Sequence, residues 1–413
     1  MKKLFTLQVL VLITLVLSAC DSEPPSEPTV ESASESSNSE LIVLNDDIST
    51  AIASIVELYL SEIDANYSDV ALALDTLHQD IVSFLASPTT DSLAAVRNSW
   101  NAAYAGYELT AIHRFYADAI LDENLSLALF QLQYQINHWP ILPGYLDYVV
   151  GYPASGIVND MTVEITPENL RAQHGAFDAD EAAIGFHVLE FLLWGENADQ
   201  SSPRSFQDFV PQTEPNAQQR MDNIAVSELS NNRRRRLLET VSVTLTEDFE
   251  SLMSDWAAAV LEYRLQLSDV PAEKKLLGLL DGLTAFFTEE LLVRSLYPML
   301  NGEFLGSLPS PYSASSQIAV SSQLATIDRL LLEIRPDNGI GLDSALSDIS
   351  DEYNEYFFEN FDASKECLVV LYSGELYNEN SNTAETEFKV VECINFLTNM
   401  IDYLQQIKLN IAA

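Results

Sequence analysis

Residues 183–195 read AIGFHVLEFLLWG, an apolar run that holds two ionisable groups, His187 and Glu190. Residues three apart on a helix share a face, so the imidazole and the carboxylate can point at one object. A neutral imidazole with a carboxylate suits iron, zinc or manganese. Two ligands make only half a metal site, and the others must come from distant helices. The same spacing also fits a structural pair in which Glu190 hydrogen-bonds His187 of its own helix. The apolar setting sharpens the choice, because an unpartnered carboxylate there costs several kcal/mol or is forced neutral.

Other catalytic constellations are missing from the sequence. There is no H-E-x-x-H and no G-x-S-x-G elbow. Of the five histidines, His78, His113, His138 and His174 are scattered and read as structural or exposed. Hydrolysis through a metal-bound water needs at least three protein ligands and an open position.

The elements that must position the pair are helical. Apolar residues recur at helical spacing at Ile48, Ile52, Ile55 and Val56, and again at Val70, Leu74, Leu77, Ile81 and Leu85. Pro88 breaks this run, and Asp91 is the expected cap of a helix over about 92–119. Another helix is expected from about 123 to 138, then an irregular stretch over 140–167, and the helix carrying His187 over about 178–194. A long polar loop, 195–216, follows. Long helices over about 217–266 and 271–300, the loop 301–313, and helices near 315–334, 342–360, 361–373 and 384–410 complete the chain. The expected fold is all-α, with two four-helix-bundle-like halves, about 45–200 and 217–413.

Composition excludes some partners. The 413 residues include 62 acidic and 20 basic ones, a net charge of −42. Such a surface repels nucleic acid, whose binding rests on phosphate neutralisation. The NNRRRR run at 231–236 is therefore expected to be a solvated helix face paired with local carboxylates, with no nucleic-acid partner. Cys367 and Cys393 flank a polar stretch, at similar heights on an expected antiparallel helical hairpin. Either a disulfide or two buried thiols fits that placement.

The N-terminus is a targeting segment. Lys2 and Lys3 precede an apolar stretch over 4–17 that is short for a bilayer span. The Leu17-Ser18-Ala19-Cys20 ending resembles the bacterial lipobox, which implies a signal peptide over 1–19 and a lipid on Cys20. Residues 20–44 are Ser-, Glu- and Pro-rich and read as a flexible tether. The folded domain is expected over 45–413. The implied location is the cell envelope, lipid-anchored and facing the periplasm or the exterior, with inner or outer membrane left open.

Three blocks, with a weaker fourth echo, together resemble the imelysin family. GFHVLEFLLWG (185–195) matches its G-x-H-x-x-E motif at Gly185, His187 and Glu190. INHWPILPGYLDYV (136–149), with Trp139, is similar to its Trp-Pro segment. WNAAYAGYELTAIHRF (100–115) resembles its W-x-x-x-R…E…RF helix, and SPYS (310–313) a segment of its second half. Tyr104 stands where the family usually has Arg, and Ala111 where it often has Glu, while Glu108 keeps an acidic position. The resemblance implies two helical halves with the motif near the cleft between them. It implies that His187, Glu190 and Glu108 ligate or hydrogen-bond a ligand there, with Arg294 and Tyr312 completing the site. It implies iron, with zinc as the alternative, and partners among iron compounds and envelope transport components. Three readings stay open: a binding component for iron or an iron compound, a metallopeptidase, and an interaction module without metal.

Overall fold

The computed structural model describes residues 43–196, 203–303, 305–373 and 383–411. The signal peptide, Cys20 and nearly all of the tether lie outside the described residues. Contacts gather Leu41–Ala413 into one compact unit. Among the described residues the regular structure is helical, with one isolated bridge between Val149 and Tyr152.

Helix α1 (Asp46–Ala86) runs through both apolar stripes without a break, since neither Pro nor Gly interrupts them. The Asn45 side chain caps it by accepting from the Ile48 N–H, and Asp46 and Asp47 complement its N-terminal dipole. Thr89, not Asp91, caps α2 (Thr90–Leu109), in a reciprocal box with Ser92. The single helix expected over 92–119 is two helices. The chain breaks at Thr110, whose hydroxyl donates to the Tyr107 carbonyl at 2.6 Å, and resumes as α3 (Ala111–Ile120). Asp122 caps α4 (Glu123–Asn137). The motif helix, α5 (Phe186–Trp194), is short and wholly buried.

The second part of the chain supplies α6 (Ser230–Gln266), which starts later than expected, and α7 (Ala272–Ala285). Helix α7 continues into a π-helical stretch, Phe286–Leu296. Then come α8 (Ser316–Asp328), α9 (Asp351–Leu371) and α10 (Thr383–Asn410). Helices from the first and second parts of the chain pack on one another: α1 packs on α2 and on α6, α3 on α7, α4 on α6, and α8 on α2. A disulfide joins Cys367 of α9 to Cys393 of α10.

The arginine run corrects the sequence reading. Arg233 and Arg234 are buried, not solvated. Arg233 donates to the carbonyls of Ile157, Val158, Asp160 and Val163, and to Glu228. Arg234 grips Asp147 through two nitrogens, at 2.5 and 3.0 Å, and Arg204 reaches the same carboxylate at 2.7 Å. These cations tie the irregular 140–167 stretch onto α6. Burial pushes the Asp147 pKa up, but Arg204 and Arg234 outweigh it and hold the carboxyl below its ordinary value.

Candidate functional site

Gly185 starts the motif helix in a conformation that only glycine adopts readily, φ +100° with ψ −178°. A Cβ there would lie 2.6 Å from the Gln135 carbonyl oxygen and 2.7 Å from that of Ile136. The glycine therefore lets α5 begin directly against the last turn of α4. Trp100 of α2 fixes the same point, its indole N–H donating to the Phe186 carbonyl at 3.0 Å. Tyr104 stacks on Trp100 at 4.8 Å and meets the His187 ring edge-on at 5.3 Å.

These contacts place His187 and Glu190 in the core, 2 % and 0 % exposed. His187 Nδ1 lies 3.1 Å from Glu190 Oε2, and His187 Nε2 lies 2.9 Å from Asn137 Oδ1. The Asn137 amide donates to Glu108 Oε1 at 2.7 Å, and Gln323 of α8 donates to the other Glu108 oxygen at 2.5 Å. At the far end, the Ser313 backbone N–H and hydroxyl both donate to Glu190 Oε1, each at 2.8 Å. The result is one buried relay running Gln323, Glu108, Asn137, His187, Glu190, Ser313. It joins α8, α2, α4, α5 and the 301–315 loop.

The relay fixes its own polarity. A carboxylate only accepts, so Glu108 turns the Asn137 NH₂ toward itself and the Asn137 oxygen toward His187. His187 Nε2 must then carry a hydrogen. Nδ1 and Glu190 Oε2 face each other, and a hydrogen bond between them requires one proton shared by the pair.

The expected site residues are therefore only partly brought together. His187 and Glu190 touch, but Glu108 is separated from His187 by Asn137. A resident metal held by all three does not fit: both ring nitrogens of His187 are engaged on opposite sides, and the three groups lie in a line rather than around a point. Among the described residues no group of three or more His, Cys, Asp or Glu side chains has the placement to hold a metal ion.

Two cavities flank the relay, with Trp139 in the wall of both. The smaller, about 150 Å³, is lined by His187, Trp139, Pro140, Pro311 and Tyr312, among others. Tyr312 packs edge-on against Phe191, and burial, with the Glu190 and Glu196 carboxylates, raises its pKa. The larger, about 340 Å³, reaches Asn137 and Arg294. Arg294 does not touch the His187–Glu190 pair. It lies over the Trp139 ring at 4.2 Å, pairs with Glu290, and donates to the carbonyls of Asn137 and Trp139.

Three of the remaining histidines are structural in their contacts, while His138 lines the larger cavity with its buried Nε2 making no hydrogen bond among the described residues. His113 is held between the Tyr59 hydroxyl and the Asn66 amide, at 2.9 and 3.0 Å. Burial, with Arg114 nearby, pushes its pKa down to about 3. His174 accepts from the Ala183 N–H, and burial lowers its pKa to about 4. His78 contacts the Ser242 hydroxyl at 2.9 Å.

Sequence reasoning missed Asn137, Gln323, Ser313 and Asp147. Asn137 and Asp147 lie inside the Trp-Pro block quoted for the resemblance, and Ser313 inside the SPYS segment. Gln323 carried no signal, being one of several polar residues in α8.

Fold and site together define an all-helical protein built around a buried His–Glu pair on a glycine-led helix. The family model for imelysin, peptidase M75, matches residues 63–404, and the chain belongs to that family. Among solved structures, it is similar to one described as an iron-regulated protein A precursor from Parabacteroides distasonis ATCC 8503. The TM-score is 0.61 at 15 % identity, covering 89 % of this chain and 96 % of that one. It is also similar to an imelysin-like protein from Psychrobacter arcticum 273-4, with a TM-score of 0.55 at 14 % identity, covering 88 % and 95 %. A search of curated proteins returned no match.

Proposed function

We propose that this protein is a lipid-anchored component of the cell envelope that binds an iron compound as cargo, facing the periplasm or the exterior. The observation that carries the reading is the His187–Glu190 pair, two donors 3.1 Å apart beside a cavity walled by Trp139 and Tyr312. Two donors cannot hold a bare ion well, but they complete an iron complex that brings its own ligands and leaves two neighbouring positions open. The cargo takes the place of the proton shared by the pair. Glu108 acts through Asn137, orienting His187 rather than ligating. The description of one structural relative as iron-regulated supports iron over zinc. Hydrolysis by a three-ligand metal centre finds no support in this geometry.

Two measurements test the reading. Labelling with a radioactive fatty acid should mark the wild-type chain and not Cys20→Ser. Protein isolated from its native envelope should carry near-stoichiometric iron, and His187→Gln should carry at least tenfold less. Equal iron in the two forms, or none in either, contradicts the assignment.

A further inference from the structure

The larger cavity has a chemistry of its own, separate from the iron reading. Its volume, about 340 Å³, falls in the range that takes small organic ligands. Its two guanidiniums share one carboxylate, Glu290. Arg114 and Arg294 each pair with Glu290 at 3.2 Å, and Arg294 also donates to two backbone carbonyls. Both guanidiniums sit over the chain's own rings, Arg294 over Trp139 and Arg114 over Phe115.

The lining carboxylates Asp118 and Glu289 are not matched in this way. Asp118 accepts from the Ser126 hydroxyl, and no ion pair with Lys or Arg within 4.0 Å reaches either group among the described residues. Burial raises the pKa of both, and for Glu289 the nearby Asp118 and Glu290 add to it. The lining thus sets two guanidiniums against three carboxylates, inside a chain of net charge −42. At the same mouth Phe130 stays 57 % exposed, beside Tyr134. Folding leaves the Phe130 ring uncovered and the Tyr134 ring half-buried against His138 and His174.

We propose that this cavity binds a small organic cation, an apolar or aromatic body carrying a primary ammonium or a guanidinium. The cationic head relieves the repulsion between Asp118 and Glu289, and the body covers Phe130 and Tyr134. An anionic ligand of the same shape meets an excess of negative charge and is excluded. The occupant lies against Asn137, so it touches the residue that orients His187.

A charge series on one scaffold tests this. Calorimetric titration of the purified protein with 2-phenylethylamine, 2-phenylethanol and phenylacetate should give saturable one-to-one binding of the amine. The amine should bind at least tenfold more tightly than either of the others. The double variant Asp118→Asn, Glu289→Gln should lose at least tenfold of that affinity with an unchanged melting temperature. If that variant unfolds, Phe130→Ala, at an exposed position, should weaken the amine severalfold instead. No binding of the amine, equal binding of all three probes, a preference for phenylacetate, or no loss in the variants overturns the proposal.

Discussion

Glu108 and His187 do not touch; Asn137 stands between them, donating to the first at 2.7 Å and accepting from the second at 2.9 Å. One amide therefore sets which nitrogen of His187 carries a hydrogen. Asn137→Leu leaves a buried carboxylate oxygen and a buried imidazole N–H without partners. We expect a loss of about 3 kcal/mol in denaturant unfolding, from about 1–3 kcal/mol for each orphaned group. Nitrogen NMR should also show that His187 no longer favours hydrogen on Nε2. A variant as stable as wild type, with the same His187 tautomer, would remove Asn137 from its positioning role.

Gly185 is fixed by space as well as by backbone angle. Gly185→Ala should destabilise the fold by about 2 kcal/mol or more, because a φ of +100° is strained for alanine and the methyl meets the Gln135 carbonyl. A chemical denaturation midpoint unchanged from wild type would contradict this.

Asp147 holds Arg204 and Arg234 in the core. Asp147→Asn should cost about 3–5 kcal/mol, since buried Arg234 loses its paired carboxylate and buried Arg204 keeps only Asp208, at 3.5 Å. The acid dependence follows from the lowered pKa. An ordinary aspartate in the unfolded chain titrates near about 3.9. The stabilisation from Asp147 is therefore complete above that pH, and is lost as pH falls through the lower folded value. In the Asn variant, that part of the acid transition should disappear from melts taken between pH 5 and pH 2.

The buried histidines act over a higher range. His113 and His174 have pKa values lowered to about 3 and about 4, against about 6.5 when unfolded. Below pH 6.5 the unfolded chain binds protons that the folded chain does not. Stability should thus fall as pH drops from about 6.5 toward 4, by up to about 1.4 kcal/mol per pH unit for each histidine. NMR should find His113 neutral in the folded protein at pH 5. A protonated His113 there, with stability flat over this range, would be the opposite result.

These residues also show what the sequence could and could not convey. The apolar stripes of α1, and the glycine-led motif at 185–195, are local features, and local features are legible. The break at Thr110 is not, because the helical period runs on through it. Part of what holds the break is tertiary: the Thr326 hydroxyl of α8 donates to the Leu109 carbonyl. The arginines at 233 and 234 looked solvated because the 157–163 carbonyls and the Asp147 carboxylate that hold them in the core are 70 or more residues away in the chain. Asn137 and Gln323 were passed over for a chemical reason: an amide is neither a strong ligand nor a titrating group. Its importance appears only once two buried ionisable side chains are seen to depend on it.

The iron reading meets its most direct test in titration of the purified protein with ferric nitrilotriacetate, a chelate that leaves two iron positions open. Calorimetry should show saturable one-to-one binding for the wild-type protein. Affinity should fall at least tenfold in both His187→Gln and Glu190→Gln, with folding confirmed by circular dichroism, and less in Glu108→Gln. The same affinity in all four proteins, or no saturable binding by the wild type, would contradict the assignment of the His187–Glu190 pair as the cargo site.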